Sequence, residues 1–246
     1  MGCDIHLYVE RKVDDKWITA DKWTPDPYAH EGEESRLIVD YDDRFYGQRN
    51  YDLFAMLADV RNGRGFAGCV TGAGFNPIST PKGPPDDISP EVKRESDEWG
   101  VDGHSHSWLT LAELKAYDWN QVKTHIWVVD VLGFAEFEQH GKPFTYFGGV
   151  PGEDGKYISN EDMRAEVAKY QPEIGELASR LYDLGTDWLE FQNKLRAEPV
   201  HYYTSVSWQS TYADSAEIFL KETMPKLEAL SYGRPKNVRI VFWFDN

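Results

Sequence analysis

Apolar and polar residues alternate along the first part of the chain, from Asp4 to Lys12. The apolar positions share one side of an extended backbone, which predicts a strand with one buried face. The pair Asp14-Asp15 predicts a turn into a return strand over residues 16–19. Further strand patterns cover residues 126–134, 201–208 and 237–245, and residues 137–147 predict a hairpin that turns at Gly141-Lys142-Pro143.

Elsewhere the apolar residues recur every three to four positions, which predicts helices. Asn50 is the expected N-cap of a helix that reaches Val60. The run from Thr110 to Glu113 matches a capping box, and a later helix is expected over residues 212–230. Because strands and helices do not alternate strictly, the pattern favours an α+β fold with a mostly antiparallel sheet packed with helices.

An apolar stripe with heptad spacing runs from residue 163 to residue 195. It predicts a helical segment near 160–197, inserted over residues 159–198. Pro172, Gly175 and Gly185 interrupt the stripe, so a kinked helix or two consecutive helices are expected. The stripe fits either a helix packed on its own sheet or a coiled-coil homodimer.

Residues 62–100 are rich in glycine and proline and show no regular pattern. A loop of this length inside a compact domain usually serves as a lid or a binding loop, and disorder is the alternative. We expect residues 1–246 to form a single domain that includes this irregular region.

The net charge of the chain limits the classes of molecule that it is expected to bind. The chain has 42 acidic and 26 basic residues and a formal net charge of −16. Phosphate backbones and anionic lipids would repel such a surface, so non-specific nucleic-acid binding and membrane binding are not expected. A local basic pocket for a small anion is still compatible with the composition. Two cysteines and no long apolar run indicate a cytoplasmic protein.

Two Asp-x-His units are the strongest candidate chemistry. Asp102, His104 and His106 would share a face of an extended strand, and Asp4 and His6 repeat the spacing. Together they could hold a divalent metal such as Zn, Mn or Mg, which would acidify a bound water. A second metal would need a further carboxylate, for which Asp130 inside the apolar strand pattern is the candidate. The structural alternative is that Asp102 caps the turn at Gly103, the two histidines bond to backbone, and Asp4 pairs with an arginine.

Basic and aromatic residues suggest an anionic ligand. The arginines could grip phosphate oxygens in a bidentate manner, and an aromatic ring could stack on a base. The alternative is solvated surface arginines and core aromatics. The candidate ligand-binding residues are Arg49, Asn50, Arg61, Lys82 and Trp108.

A resemblance to a known group rests on motif order in the first half of the chain. Met1-Gly2-Cys3-Asp4-Ile5-His6, Arg49-Asn50-Tyr51-Asp52-Leu53-Phe54-Ala55 and Asp102-Gly103-His104-Ser105-His106-Ser107-Trp108 resemble a group of small, uncharacterised proteins common in bacteriophage genomes. The resemblance implies a phage context, and therefore the host cytoplasm, without implying an activity.

A weaker likeness is to calcineurin-type metallophosphoesterases, which begin with Asp-x-His and end with Gly-His-x-His, here residues 103–106. This chain lacks their intervening Gly-Asp and Gly-Asn-His-Asp motifs, so the likeness concerns chemistry and not fold.

The leading hypothesis is a phage-encoded, metal-assisted phosphoester hydrolase that acts on a small phosphorylated compound or nucleotide. Asp102, His104 and His106 would be catalytic, with Asp4 and His6 completing the metal site. Two alternatives stay open: a non-catalytic nucleotide binder that sequesters a host immune signal, and an acidic protein that inhibits a host enzyme.

Overall fold

The computed structural model describes residues 3–27, 36–64, 74–147, 154–170, 193–195 and 197–245. The chain divides into two compact units. The first contains residues 1–62, 74–122 and 211–246, and the second contains residues 63–73 and 123–210. In the first unit, antiparallel strands form a sheet and helices pack against it. This arrangement confirms the predicted α+β class. The single domain over 1–246 stays a prediction, because compact units need not fold independently.

A four-stranded antiparallel sheet forms the centre of the first unit. Its strands are β1 (Ile5–Val13), β2 (Lys16–Thr19), β5 (His104–Thr110) and β9 (Val238–Phe244). They lie in the order β2-β1-β9-β5, so the predicted first hairpin is confirmed and the last strand lies beside the first. A separate small hairpin pairs β3 (Trp23–Pro25) with β4 (Leu37–Val39).

One face of this sheet packs on helices. The inward residues of β1 and β9, Leu7 and Phe242 among them, join the main core with α1 (Tyr51–Ala58). The Asn50 side chain accepts a hydrogen bond from the backbone N–H of Leu53, which confirms the predicted N-cap. The capping box of α3 (Leu111–Ala116) is also confirmed, with Thr110 and Glu113 bonded reciprocally.

The opposite face of the sheet is covered too, by α2 (Pro90–Glu98) and by tryptophans. Tyr8 and Trp243 stack on each other there, and Val92 of α2 is fully buried. A buried ion pair joins Arg239 Nε to Glu10 Oε2 at 2.6 Å. Because both faces are covered, all seven residues of β9 are buried.

The prediction of irregular structure over 62–100 is therefore wrong at its end, where α2 lies. The helix carries mostly charged residues and buries one large apolar side chain, Val92, so it has no apolar stripe to detect. The helix-start signal was present, since Ser89 precedes Pro90 at the first turn. Residues 65–73 lie outside the described residues.

The second unit contains a three-stranded sheet of β6 (Val122–Val129), β7 (Gly155–Tyr157) and β8 (His201–Thr211). The strands lie in the order β6-β8-β7, and β7 runs parallel to β8. The predicted strand 126–134 is wrong in its second half, because β6 ends at Val129 and the next residue, Asp130, caps α4 (Val131–His140). The predicted hairpin over 137–147 is wrong for the same reason. The first turns of α4 are buried all round, and a short apolar run of this kind does not distinguish strand from helix.

The predicted helical segment begins as expected. The Ser159 side chain caps α5 (Asn160–Lys169) through the backbone N–H of Asp162. Most of the heptad stripe falls on residues 171–192, which lie outside the described residues. The coiled-coil homodimer stays a prediction.

The predicted helix 212–230 is divided into shorter pieces. It consists of α6 (Tyr212–Ser215), a π-helical turn (Phe219–Thr223) and α7 (Met224–Ser231). Pro225 lies in the first turn of α7, where its missing N–H costs no helical hydrogen bond. Within the described chain, no helix combines the length and apolarity that a membrane crossing requires.

Candidate functional site

A β-bulge separates the two predicted catalytic histidines. His104 pairs with Phe244 and Ser107 pairs with Phe242. Between these two pairs, β5 contains two residues and β9 contains one, which defines the bulge. The extra residue is accommodated at Ser105, whose φ is 54°. As a result His104 lies towards Phe244, while His106 stacks on Trp243, with ring centroids 5.5 Å apart. The common face predicted for the two histidines is not observed.

His6 is enclosed by aromatic rings and by one carboxylate. Its Nε2 lies 3.2 Å from Asp245 Oδ2, and its ring centroid lies 4.0 Å from that of Trp99. Burial lowers the pKa of His6, although the charge of Asp245 acts in the opposite direction. The enclosed imidazole therefore serves mainly to join the ends of β1 and β9.

Asp4, the other predicted metal ligand at this end, is held by Arg49. The guanidinium binds both carboxylate oxygens: Nε donates to Oδ1 at 2.7 Å, and Nη2 donates to Oδ2 at 2.6 Å. This hydrogen bonding to Arg49 lowers the pKa of Asp4. The pair confirms the structural alternative for Asp4, and it also occupies an arginine that was predicted to hold phosphate.

The remaining predicted residues are dispersed, and Asn50 and Arg61 have structural partners. Asn50 donates from Nδ2 to the carbonyl of Ser215 at 2.8 Å besides capping α1. Arg61 lies over the ring of Tyr51 at 5.8 Å. Asp102 is exposed in the turn before β5.

One predicted pair is brought together. The Lys82 ammonium lies 4.0 Å from the centre of the Trp108 ring and 3.2 Å from Glu113 Oε1. An aromatic ring and a carboxylate already satisfy this lysine.

These contacts keep the predicted metal ligands apart. Among the residues that the structure describes, no three His, Cys, Asp or Glu side chains converge on one point. Asp4 and His6 are engaged by Arg49 and Asp245, and His104 and His106 lie on opposite faces. The metal site of these five residues stays a prediction, and their side chains do not meet at one point in this structure.

A cavity of about 650 Å³ opens in the second unit, at residues among which the sequence singled out Asp130 alone. We call it the second-unit cavity. It lies beside the start of α4, the end of α5 and the start of β8. Its polar lining consists of Asp130, Thr145, Glu166, Lys169, Glu198 and His201, and its aromatic lining of Phe147, Tyr170, Tyr202 and Tyr203.

Carboxyl groups dominate the electrostatics of the second-unit cavity. The Lys169 ammonium lies 2.6 Å from both oxygens of Glu166, so the charges of these two residues offset each other. Asp130 and Glu198 are the other carboxyl groups of the lining. Burial raises the pKa of Asp130, although hydrogen bonds from the backbone N–H groups of α4 act the other way. Burial and the nearby Asp130 together raise the pKa of Tyr203.

Asp130 shows why the sequence does not predict this cavity. Its position in an apolar run predicts a strand residue available to a metal, whereas it caps α4, and its Oδ1 accepts a hydrogen bond from the N–H of Gly133 at 2.8 Å. The spacing of an N-cap, three residues before that N–H, was the available signal. Comparisons with known proteins add no further assignment, since no protein-family model, curated protein or solved structure matches the chain.

Proposed function

We propose that this protein binds a small organic molecule in the second-unit cavity, and that the ligand carries a cationic group and an aromatic or apolar body. The observation that carries the proposal is the cavity itself, about 650 Å³ and lined by three carboxyl groups and four aromatic rings. Small-molecule sites typically span about 300–1,000 Å³ and combine apolar walls with a few polar groups.

The lining determines the charge of the ligand. Asp130 and Glu198 have no lysine or arginine bound to them in the described contacts, whereas Lys169 is taken by Glu166. A cation entering this space would meet carboxylates and tyrosine faces, both of which attract it. An anion would be repelled by the same carboxylates, so the nucleotide predicted from the sequence does not suit this cavity.

Metal-assisted phosphoester hydrolysis, capture of a host immune signal and inhibition of a host enzyme stay predictions from the sequence. For hydrolysis, the support from geometry is weaker, because the predicted metal ligands are engaged by Arg49 and Asp245 or lie on different faces of the sheet. A phage origin rests on the motif resemblance alone.

The proposal is tested with three compounds that share one ring and differ in one group: tyramine, tyrosol and 4-hydroxyphenylacetate. Isothermal titration calorimetry on the full chain should show tyramine binding most tightly, tyrosol more weakly, and the carboxylate weakest of all. Equal affinities, or no saturable binding of tyramine and other aromatic amines, would overturn the proposal.

Two variants place the binding in the cavity. Glu198→Gln removes a carboxylate from the lining, and Asp130→Asn does so while keeping a residue that caps helices equally well. Each should weaken tyramine binding by about tenfold, the effect of losing one charge-assisted contact. Glu138→Gln is the matched control, since Glu138 is an exposed residue of α4 paired with Arg164 outside the cavity. An equal loss in this control would argue against the assignment.

A further inference from the structure

The first unit has a smaller pocket of opposite charge, about 190 Å³ in volume. We call it the basic pocket. It lies between the far end of β1 and the turn that follows α7. Its polar and aromatic lining consists of Arg11, Lys12, Ser231, Tyr232, Arg234 and Asn237.

The arginines of the basic pocket differ from most others in the protein. In the described part of the chain, neither Arg11 nor Arg234 has a side-chain partner. Five other arginines bind a carboxylate: Arg36, Arg49, Arg94, Arg164 and Arg239. In a chain with 42 acidic residues, two unpaired arginines on one small pocket are a notable departure.

The surrounding groups compensate these charges only in part. Lys12 lies 3.6 Å from the fully exposed Asp15, which offsets one positive charge. The carbonyl end of α7 contributes roughly half a negative charge. About one and a half positive charges therefore remain around the basic pocket, and an anion would neutralise them.

The size of the pocket limits what this anion can be. A volume of about 190 Å³ lies below the range of roughly 300–1,000 Å³ in which whole small molecules are enclosed. The pocket therefore suits one charged group with the rest of the molecule outside. Tyr232 stands at the rim with its side chain 80% exposed, in a left-handed conformation with φ of 46°.

We propose that the basic pocket binds a phosphate group, with Arg11 and Arg234 as its donors. Guanidinium forks match phosphate oxygens and form charge-assisted hydrogen bonds. The site lies in the other unit from the second-unit cavity, so it goes beyond the function proposed above and does not depend on it. The phosphate can be inorganic or the end of a phosphomonoester, whose organic part would lie against the Tyr232 ring.

The test is a titration of the full chain with inorganic phosphate, adenosine 5′-monophosphate and adenosine at low ionic strength, by isothermal titration calorimetry. Both phosphate-bearing probes should bind saturably, and adenosine should not. Tighter binding of the monophosphate than of phosphate would assign a phosphomonoester, and equal binding would assign phosphate alone.

Charge variants locate the site. Arg234→Gln and Arg11→Gln should each weaken phosphate binding by about tenfold or more, because a charge-assisted fork is lost. Lys226→Gln is the matched control, as an exposed cation of α7 outside the pocket. Circular dichroism should show all three variants folded. No saturable phosphate binding, adenosine binding as tight as the monophosphate, or an equal loss in Lys226→Gln would each overturn the proposal.

Discussion

At the scale of single residues, Asp21 is a buried carboxyl group with incomplete hydrogen bonding. Its Oδ2 accepts from the backbone N–H of Val9 at 2.7 Å, while its Oδ1 is buried without a hydrogen-bond partner among the described residues. Burial raises the pKa of Asp21 to about 7. A protonated Asp21 suits this site better than a charged one, because removing a carboxylate from water is costly.

This shift predicts how stability depends on pH. The pKa is about 7 in the folded protein and about 4 in the unfolded chain, so the folded state binds the proton more tightly. The resulting stabilisation is complete below pH about 4 and is lost as the pH rises through about 7. Asp21→Asn keeps an acceptor for Val9 and should remove this loss, which amounts to at most about 4 kcal/mol.

Urea unfolding of the wild type and of Asp21→Asn across this pH range measures the difference. Asp14→Asn serves as a control, because Asp14 is exposed in a turn with φ of 47°, a conformation that asparagine adopts readily. Parallel pH profiles for wild type and Asp21→Asn would show that Asp21 does not titrate in this way.

Local contacts at this scale were predictable, and distant ones were not. The cap formed by Asn50 needs only its near neighbours, and sequence identified it. The contact of His6 with Asp245 joins residues 239 positions apart, and it depends on β1 lying beside β9. Sequence spacing carries no information about that pairing, so His6 appeared free to bind a metal.

At the scale of elements, the hydrophobic pattern predicted a segment correctly where apolar and polar residues alternate. Ile5, Leu7 and Val9 of β1 alternate with polar residues and were predicted as a strand, although the second face of β1 is covered too. By contrast, α2 is mostly charged and α4 begins fully buried. Neither helix has an apolar stripe opposite a polar face, which is the pattern that identifies a helix in a sequence. The second-unit cavity was missed because α4 forms part of it.

The capping box of α3 offers an element-scale test. Thr110 accepts from the Glu113 N–H at 3.2 Å, and Glu113 accepts in return from the Thr110 N–H at 2.7 Å. Thr110→Ala should lower the free energy of unfolding by about 1 kcal/mol, the usual value of an N-cap. Thr110→Ser retains the hydroxyl and should stay within about 0.5 kcal/mol of wild type. Urea unfolding distinguishes them, and equal stabilities for the alanine and serine variants would contradict the role.

At the scale of the whole molecule, acidity is the dominant property. A net charge of −16 on 246 residues produces self-repulsion that opposes the compact state. The composition predicted this and excluded sequence-independent nucleic-acid binding. It did not predict that charge is segregated locally, with carboxyl groups around the second-unit cavity and arginines around the basic pocket.

Salt should therefore stabilise this protein. Raising the NaCl concentration from about 0.01 M to about 1 M shortens the Debye length from about 30 Å to about 3 Å and screens the repulsion. We expect the melting temperature to rise, although exposed pairs such as Arg49 with Asp4 weaken slightly. Differential scanning calorimetry measures the shift. A steady fall with salt would mean that favourable ion pairs outweigh the repulsion.

The bulge at Ser105 has a consequence for how this segment can change over generations. Loss of the Ser105 codon would restore an unbroken ladder beside β9, in which His104 stays opposite Phe244 and His106 follows it on the other side of the sheet. The motif His-x-His thus places its two rings on one side of a regular strand and on opposite sides of a bulged strand. Related sequences that keep His-x-His without the bulge would carry both imidazoles on one side of the sheet.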